Sequence, residues 1–242
     1  MPANNPAINL DQVRRQCARC DLRELCLPAG LDHADVDRVD QMVADRTALG
    51  SGETLYHAGS PFRALYVIKT GALKTQTVSE GGELQVLGFH LPGEILGFDA
   101  LANERHQCSA EALEASSICR LPYAELERIC SAVPGLQRQF MRLVSREIGD
   151  DHDHMAMMGR NQAISRLALF LHSLSKRQAR LGRSADQLTL SMSRADLANY
   201  LGLVLETVSR LFGRLQDMGL IEVRRRQVRI VDMAGLKALG DC

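Results

Sequence analysis

Three of the seven cysteines in this chain stand close together, as Cys17-x2-Cys20-x5-Cys26. Thiolates are soft donors that suit zinc, copper(I) or an iron–sulfur cluster. A structural zinc site usually takes two pairs of closely spaced ligands. Here three ligands share one short segment and the fourth must come from elsewhere, an arrangement common around a cubane cluster. Cys108, Cys119, Cys130, Cys242 or a histidine could supply it, and spacing alone leaves that choice open. An odd number of cysteines argues against a fully paired disulfide framework. Three unrelated thiols would leave the crowding unexplained.

A second constellation lies near the C-terminus. Ser193-Arg194-Ala195-Asp196 has the form of a capping box, with Ser193 as N-cap of a helix that runs through Leu197 to Leu201. Gly202 permits a sharp turn. A second helix is expected from about Leu205 to Met218, with Val208, Leu211, Phe212 and Leu215 inward and Glu206, Ser209, Arg210, Arg214 and Gln216 outward or partly so. Two short helices about a glycine turn have helix-turn-helix geometry. Strands at Ile221–Val223 and Val228–Val231 would then carry Arg224, Arg225 and Arg226 at a hairpin tip, a basic wing suited to phosphates. A helix pair merely packed into a core would not account for the wing.

These groups need a scaffold. Residues 1–16 read as a polar arm, and Asp35–Val43 as a short helix. From Leu49 to Cys130, short apolar runs alternate with glycine turns, the texture of an antiparallel sandwich or barrel. After Pro134 a helical period begins: Phe140, Val144, Ile148, Asp151, Met155 and Met158 form one stripe of a long helix. If two such helices pair about a two-fold axis, the Asp151 carboxylates approach each other and weaken the seam. A further helix is expected over Ala163–Arg180, with Ile164, Leu167, Ala168 and Leu171 on one side, and then a polar loop, Leu181–Gln187. His152 and His154 flank Asp153 on what reads as a solvated helix face rather than a metal site.

The 242 residues suffice for two modest domains. Net charge is zero, with 29 basic and 29 acidic residues, but the two halves differ. From position 161 onward there are 13 Lys and Arg against 7 Asp and Glu, which leaves 16 against 22 in the rest. A basic C-terminal part beside an acidic N-terminal part suits a domain that meets a polyanion. No apolar run reaches the ~20 residues that span a bilayer, and the N-terminus lacks a signal-peptide core. A cytoplasmic protein without membrane contact is expected.

Together these features resemble the FNR (fumarate and nitrate reduction) branch of the CRP–FNR superfamily, from Cys17 onward. The cysteine spacing is similar to that family's cluster loop. The family's fourth ligand precedes a Pro-aromatic pair, which here points to Cys119 in Ser117-Ile118-Cys119-Arg120-Leu121-Pro122-Tyr123. Leu25 matches the apolar residue that shields the cluster. In Glu206-Thr207-Val208-Ser209-Arg210 the resemblance implies base reading by Glu206, Ser209 and Arg210, with Arg210 suited to guanine and Glu206 to a cytosine amino group. Arg194, Arg214 and the wing arginines complete the expected DNA-binding set. Leu205 stands where cyclic-AMP receptor proteins carry arginine. The implied target is TTGAT–N4–ATCAA.

The resemblance implies an α+β fold with four parts: a cysteine segment (1–28), an antiparallel, jelly-roll-like β-roll sensor (29–133), a dimerisation helix (134–160) and a winged helix-turn-helix (161–242). It implies a homodimeric, oxygen-responsive global transcription regulator, not an enzyme, active with an intact [4Fe–4S] cluster that oxygen or nitric oxide would degrade. Ser79–Gln85 resembles the family's loop for RNA polymerase. Cyclic nucleotide is not expected, because Phe98, Cys108 and Ser109 replace the glutamate and Arg-Ser pair that would bind ribose and phosphate. Asp21 after Cys20, and Val204 at the usual threonine N-cap, depart from the pattern. A zinc or thiol sensor on the same regulator is the nearest rival. An iron–sulfur electron carrier is a more distant one, opposed by the helix-turn-helix and by the absence of flavin, nucleotide and nucleophile motifs.

Overall fold

The computed structural model describes Cys17 and residues 20–43, 45–160 and 162–241; the arm at 1–16 and Cys242 lie outside the described residues. Eight strands build the first half: β1 (Asp45–Leu49), β2 (Thr54–Tyr56), β3 (Ala64–Thr70), β4 (Leu73–Val78), β5 (Leu84–His90), β6 (Ile95–Leu96), β7 (Ser109–Ala112) and β8 (Ser116–Pro122). They form two antiparallel four-stranded sheets, ordered β1-β8-β3-β6 and β2-β7-β4-β5. This is the β-roll expected from the glycine-punctuated runs. Gly71 carries the chain between sheets at φ 85°, where a Cβ would lie 2.1 Å from Ser116 Oγ and 2.8 Å from Ser116 Cα. Only glycine fits there.

Successive side chains of a strand point to opposite faces. Ile68, Leu96 and Ile118 therefore fill the space between the sheets, with Leu73 and Ala110. Leu65, Val67 and Leu121 point outward and are nonetheless buried. Their cover is Leu27, Leu31, α1 (His33–Met42), α2 (Tyr123–Ala132) and the first turns of α3 (Pro134–Met158). Asp32 caps α1 by accepting from Asp35 N at 2.9 Å, which starts that helix two residues earlier than the apolar pattern suggested.

Helix α3 has 25 residues and begins with Pro134, whose missing N–H costs nothing in a first turn. Its face with Leu136, Gln139, Leu143 and Met157 is buried within the chain. Met141, Ile148 and Met155, seven residues apart, remain 58%, 50% and 60% exposed on another face.

The second half runs α4 (Ala163–Arg180), β9 (Gln187–Thr189), α5 (Arg194–Tyr200), α6 (Leu205–Asp217), β10 (Ile221–Arg224), β11 (Gln227–Ile230) and α7 (Met233–Asp241). Strand β9 begins where the sequence reads as loop, and it joins a sheet ordered β10-β11-β9. Helix α7 is absent from the sequence reading; its Leu236 is fully buried. Amphipathic α4 buries Ile164, Leu167, Ala168 and Leu171 as expected. Among the described residues no helix is long and apolar enough to cross a membrane.

The halves share one core, in which Phe89 and Val86 of β5 pack with Phe170 and Tyr200. Polar contacts fix the fit. Arg177 of α4 donates to the Phe89 carbonyl and to both oxygens of Glu94, at 2.8 and 2.5 Å. Lys74 Nζ lies 2.9 Å from Asp196 and 3.3 Å from Glu111. Asn199 accepts from Val86 N at 2.6 Å and donates to Leu84 O at 2.7 Å. Burial alone would raise the Glu94 carboxyl, but the Arg177 charge outweighs it and holds Glu94 below its ordinary range.

Glu147 of α3 faces the same region. Burial, then the negative charges of Glu94, Asp151 and Asp150, push its carboxyl up from 4.5 to about 8. A carboxyl raised on folding contributes stability below its unfolded value and loses it as pH climbs through the folded value. Stability from this site should thus decline between about 4.5 and about 8. Glu147→Gln should match the unmutated chain in urea unfolding near ~pH 5 and exceed it near ~pH 9. Equal midpoints for the two proteins at the higher pH would refute this assignment.

Candidate cysteine centre and nucleic-acid interface

Cys119 sits on β8 opposite Val67 of β3 and Arg46 of β1. Strand alternation sends Ile118 into the roll and Cys119 out, beneath the N-terminal segment. There Cys17, Cys20, Cys26 and Cys119 line one cavity of about 30 Å³, walled by Leu22, Leu27, Val39, Val67 and Leu121. Tight turns shape the segment: Cys20 N donates to Cys17 O at 3.3 Å and Ala29 N to Cys26 O at 3.1 Å. Cys17 N donates to Asp40 Oδ1 at 2.9 Å, which ties the segment to α1. Gln139 of α3 donates to Cys26 O at 3.1 Å, which ties it to the long helix. Gln139 was not singled out from the sequence; its only local signal is a polar residue on the apolar face of α3.

Burial pushes the Cys26 thiol up to about 12, and the neighbouring sulfurs Cys119 and Cys20 add to the effect. Cys17 is raised by burial and by Asp40, and Cys119 by burial despite Arg46 and Lys69. Four thiolates cannot share so apolar a pocket without positive charge among them. Arg23 and Lys69 also line it. Arg23 Nε is buried without a hydrogen-bond acceptor, its nearest carboxylate being Glu24 at 3.9 Å. Among the described residues no three acidic, histidine or cysteine side chains converge closely enough for a single metal ion. A cubane asks for something wider, since each thiolate binds a different iron. The donor set, its apolar walls and the unpaired Arg23 N–H all fit such a group.

Of the other candidates, Cys108 is buried in the roll, its Sγ 3.5 Å from Asp99. Cys130 is partly buried on α2 but does not line the cavity. Leu25 is not among the lining residues either; it stands against Gly93, whose added Cβ would lie 3.3 Å from Leu25 Cβ. Leu22 lines the cavity. Around the three residues that replace a nucleotide pocket, Tyr56 stacks on His106 at 3.7 Å and Ser109 Oγ accepts from Ala58 N at 2.9 Å. Phe98 lies 6.0 Å from Phe140, ring to ring.

The helix-turn-helix forms as its residues demand. Ser193 Oγ accepts from Asp196 N at 3.0 Å while Asp196 accepts from Ser193 N at 3.2 Å. Gly202 turns at φ 62°, and Arg166 donates to Leu201 O at 2.9 Å. Helix α6 buries Val208, Leu211, Phe212 and Leu215, and exposes Glu206, Ser209, Arg210 and Arg214. Val204 provides no side-chain cap. Arg225 and Arg226 form the wing turn, Arg225 at φ 57°, and Arg224 closes β10 beside them; all three are exposed.

Three expectations change. Arg194 is not free on the surface: its guanidinium lies 3.5 Å over the Phe212 ring and is half-buried. Stacking on that ring offsets the loss of water. His154 is half-buried rather than fully solvated, because it shares a face with Met157 and stacks on Tyr200 at 4.3 Å; His152 is exposed. The Ser79–Gln85 turn is exposed at Glu80 and Gly81, but Leu84 and Gln85 bond to Asn199 of α5. In the α3 stripe Ile148, Asp151 and Met155 are exposed, while Phe140 and Met158 partly pack within the chain.

The Crp-like helix-turn-helix domain family matches residues 165–239, and the cyclic nucleotide-binding domain family matches residues 46–132. The chain is 45% identical to the transcriptional regulatory protein btr of Bordetella pertussis, over 92% of each chain. It is 43% identical to the transcriptional activator protein FnrA of Stutzerimonas stutzeri, over 95% of this chain and 94% of that one. With the fumarate and nitrate reduction regulatory protein of Salmonella typhi it shares 38% identity, over 93% and 90%. The solved structure of FixK2 from Bradyrhizobium japonicum superposes with a TM-score of 0.74 at 30% identity, covering 81% of this chain and 97% of that one.

Proposed function

The chain belongs to the FNR-type regulators of the CRP–FNR superfamily, and on that premise we propose an oxygen-responsive regulator that binds TTGAT–N4–ATCAA as a dimer. Cys17, Cys20, Cys26 and Cys119 would hold a [4Fe–4S] cluster. The observation that carries this is the meeting of those four side chains on one cavity, whose Cys26 is tied to α3 by the Gln139 hydrogen bond. When bound, the cluster would supply the positive charge that lets the thiolates ionise, and a fastening sensitive to oxygen or nitric oxide. The chain does the rest. Gln139 and the contact between Leu31 and Gly135 couple the cysteine segment to the first turns of α3. Repacking there alters how the helix presents Ile148, Asp151 and Met155 to a second copy. Exposed Glu206, Ser209 and Arg210 read base edges, and the wing arginines hold phosphates. Cyclic nucleotide has no place in this reading, since Cys108 faces the Asp99 carboxylate rather than offering a counter-charge. A thiol switch fits less well, because raised thiols are poor nucleophiles. RNA polymerase would meet the exposed tip around Glu80.

An absorption spectrum of anaerobically purified protein, before and after air, tests the centre. Cys119→Ser should lose iron, sulfide and specific DNA binding, while Cys108→Ser and Cys130→Ser keep them. Retention by Cys119→Ser with loss in Cys108→Ser would move the fourth ligand, and bound zinc in place of iron would reject the cluster.

Arg210→Ala should cost ~1–3 kcal/mol and relax discrimination at one base pair. Neutralising Arg224, Arg225 and Arg226 should weaken binding to every sequence and flatten its salt dependence. Equal losses on specific and random DNA for Arg210→Ala would remove it from the reading set.

Asp151 lies exposed between Ile148 and Met155, where pairing would bring two carboxylates together. A weak seam can be governed by a few kcal/mol. Asp151→Ala should shift cluster-free protein toward dimer in sedimentation and permit binding in air. An unchanged monomer fraction would overturn this account of the switch.

A further inference from the structure

A cavity of about 320 Å³ lies where β5, α3, α4 and α5 come together. It shares no residue with the cysteine cavity or with the DNA-facing set. Sites for small molecules run from roughly 300 to 1,000 Å³, are mostly apolar with a few converging polar groups, and favour the junction of two domains. This cavity has that place and the lower end of that size. Phe89, Met157, Phe170 and Tyr200 supply the apolar part of its lining.

Its charged lining is divided by sign. Helix α3 contributes Glu147, Asp150 and Asp153, while α4 and α7 contribute Lys176, Arg180 and Lys237, all three exposed. Among the described residues no salt bridge joins one set to the other. Arg177 also lines the cavity, but it is committed to Glu94 and to the Phe89 carbonyl. Burial and neighbouring carboxylates push Glu147 up to about 8, and burial raises Asp150 as well. The acidic wall thus lacks a cation of its own. His154 Nδ1, on the same wall, is buried without a hydrogen-bond partner, and such an atom costs stability unless something bonds it. A simple anion would suit the basic wall and leave the acidic one unmatched; an amine would do the reverse. A small molecule that carries both charges on a short apolar body matches both walls and the aromatic lining.

We propose that this cavity is a binding site for a small zwitterion of the α-amino-acid class, its ammonium against Glu147 and Asp150, its carboxylate against Lys176 and Arg180, and its apolar side chain against Phe170 and Tyr200. The occupant would tie α3, which carries the exposed stripe, to α4, which leads into the helix-turn-helix, and so would give the chain a second input. The inference is independent of the cluster and of base readout, so its failure leaves the regulator reading intact.

The test uses the full chain, cluster-loaded and anaerobic, titrated calorimetrically with L-leucine, L-methionine and L-phenylalanine. At least one should bind saturably, one molecule to each chain. Two derivatives of that amino acid each lack one charge: the N-acetyl form has no ammonium, and the amide has no carboxylate. Each should bind about tenfold more weakly or worse, the loss of one charge-assisted contact. Asp150→Asn and Lys176→Met remove one charge from each wall at positions outside the core, and each should also weaken the parent amino acid about tenfold. If none of the three amino acids binds, the proposal is overturned. It is equally overturned if the N-acetyl form binds as well as its parent, which would mark an anion site, or if the amide does, which would mark an amine site. Binding that neither substitution weakens would put the amino acid elsewhere on the chain and reject this cavity.

Discussion

Strands β3 and β8 carry apolar side chains on both faces, and a sheet built from such strands must be covered twice. One face finds its cover in the opposing sheet, through Ile68, Ile118 and Leu73. The other cannot be left to water, because Leu65, Val67 and Leu121 are large and lie together. The N-terminal segment, α1, α2 and the first turns of α3 exist in this arrangement because they supply that second cover. The position of the cysteines follows from the same requirement. Cys119 shares the outward face with Leu121, so the segment that buries Leu121 brings Cys17, Cys20 and Cys26 against it. The four-cysteine cavity is therefore a by-product of hydrophobic closure, placed at a layer that would loosen if its fastening failed.

Closure also explains how a change in that layer can reach a distant helix. The layer includes α3 itself, through Leu136, Leu143 and the Gln139 bond to Cys26 O. A 25-residue helix is stiff, so an altered seat at its first turns moves the exposed face further along. The opposite end of the molecule is held differently. Arg177 and Glu94 form a buried ion pair, and Lys74 reaches across to Asp196. Such pairs contribute little net stability, since desolvation opposes attraction. They fix one relative placement of α4 and α5 on the roll, which an apolar contact alone would leave free to slide.

The roll matches a nucleotide-binding family, yet its own residues point elsewhere. Cys108, Asp99, Tyr56 and His106 fill the region with packed, mutually bonded groups. A fold positions side chains; the chemistry belongs to the side chains it receives. Here the same strands that the family uses for a nucleotide carry a thiol on the outside, against the covered back of the roll.

Much of this was legible in the sequence because its cause is local. Glycine turns and short apolar runs announced the β-roll, the Ser193–Asp196 pair announced its capping box, and the i, i+3, i+4 spacing announced α3, α4 and α6. Cysteine spacing by itself suggested three ligands and left the fourth open; only the pairing of β8 with β3 brings Cys119 to the cavity, since proximity across a hundred residues is a property of sheet register. Arg194 was legible only in part, for a related reason. Its charge and place beside a helix start suit DNA, but the Phe212 ring that captures it comes from another helix. The turn of Leu25 toward Gly93, the stacking of His154 on Tyr200, and the bonds of Gln139, Arg177 and Asn199 are likewise choices between partners distant in the chain. Sequence pattern determines which groups must be buried and which segments are regular, because backbone geometry and hydrophobicity act over a few residues. Which buried groups meet is decided only when whole layers close on one another.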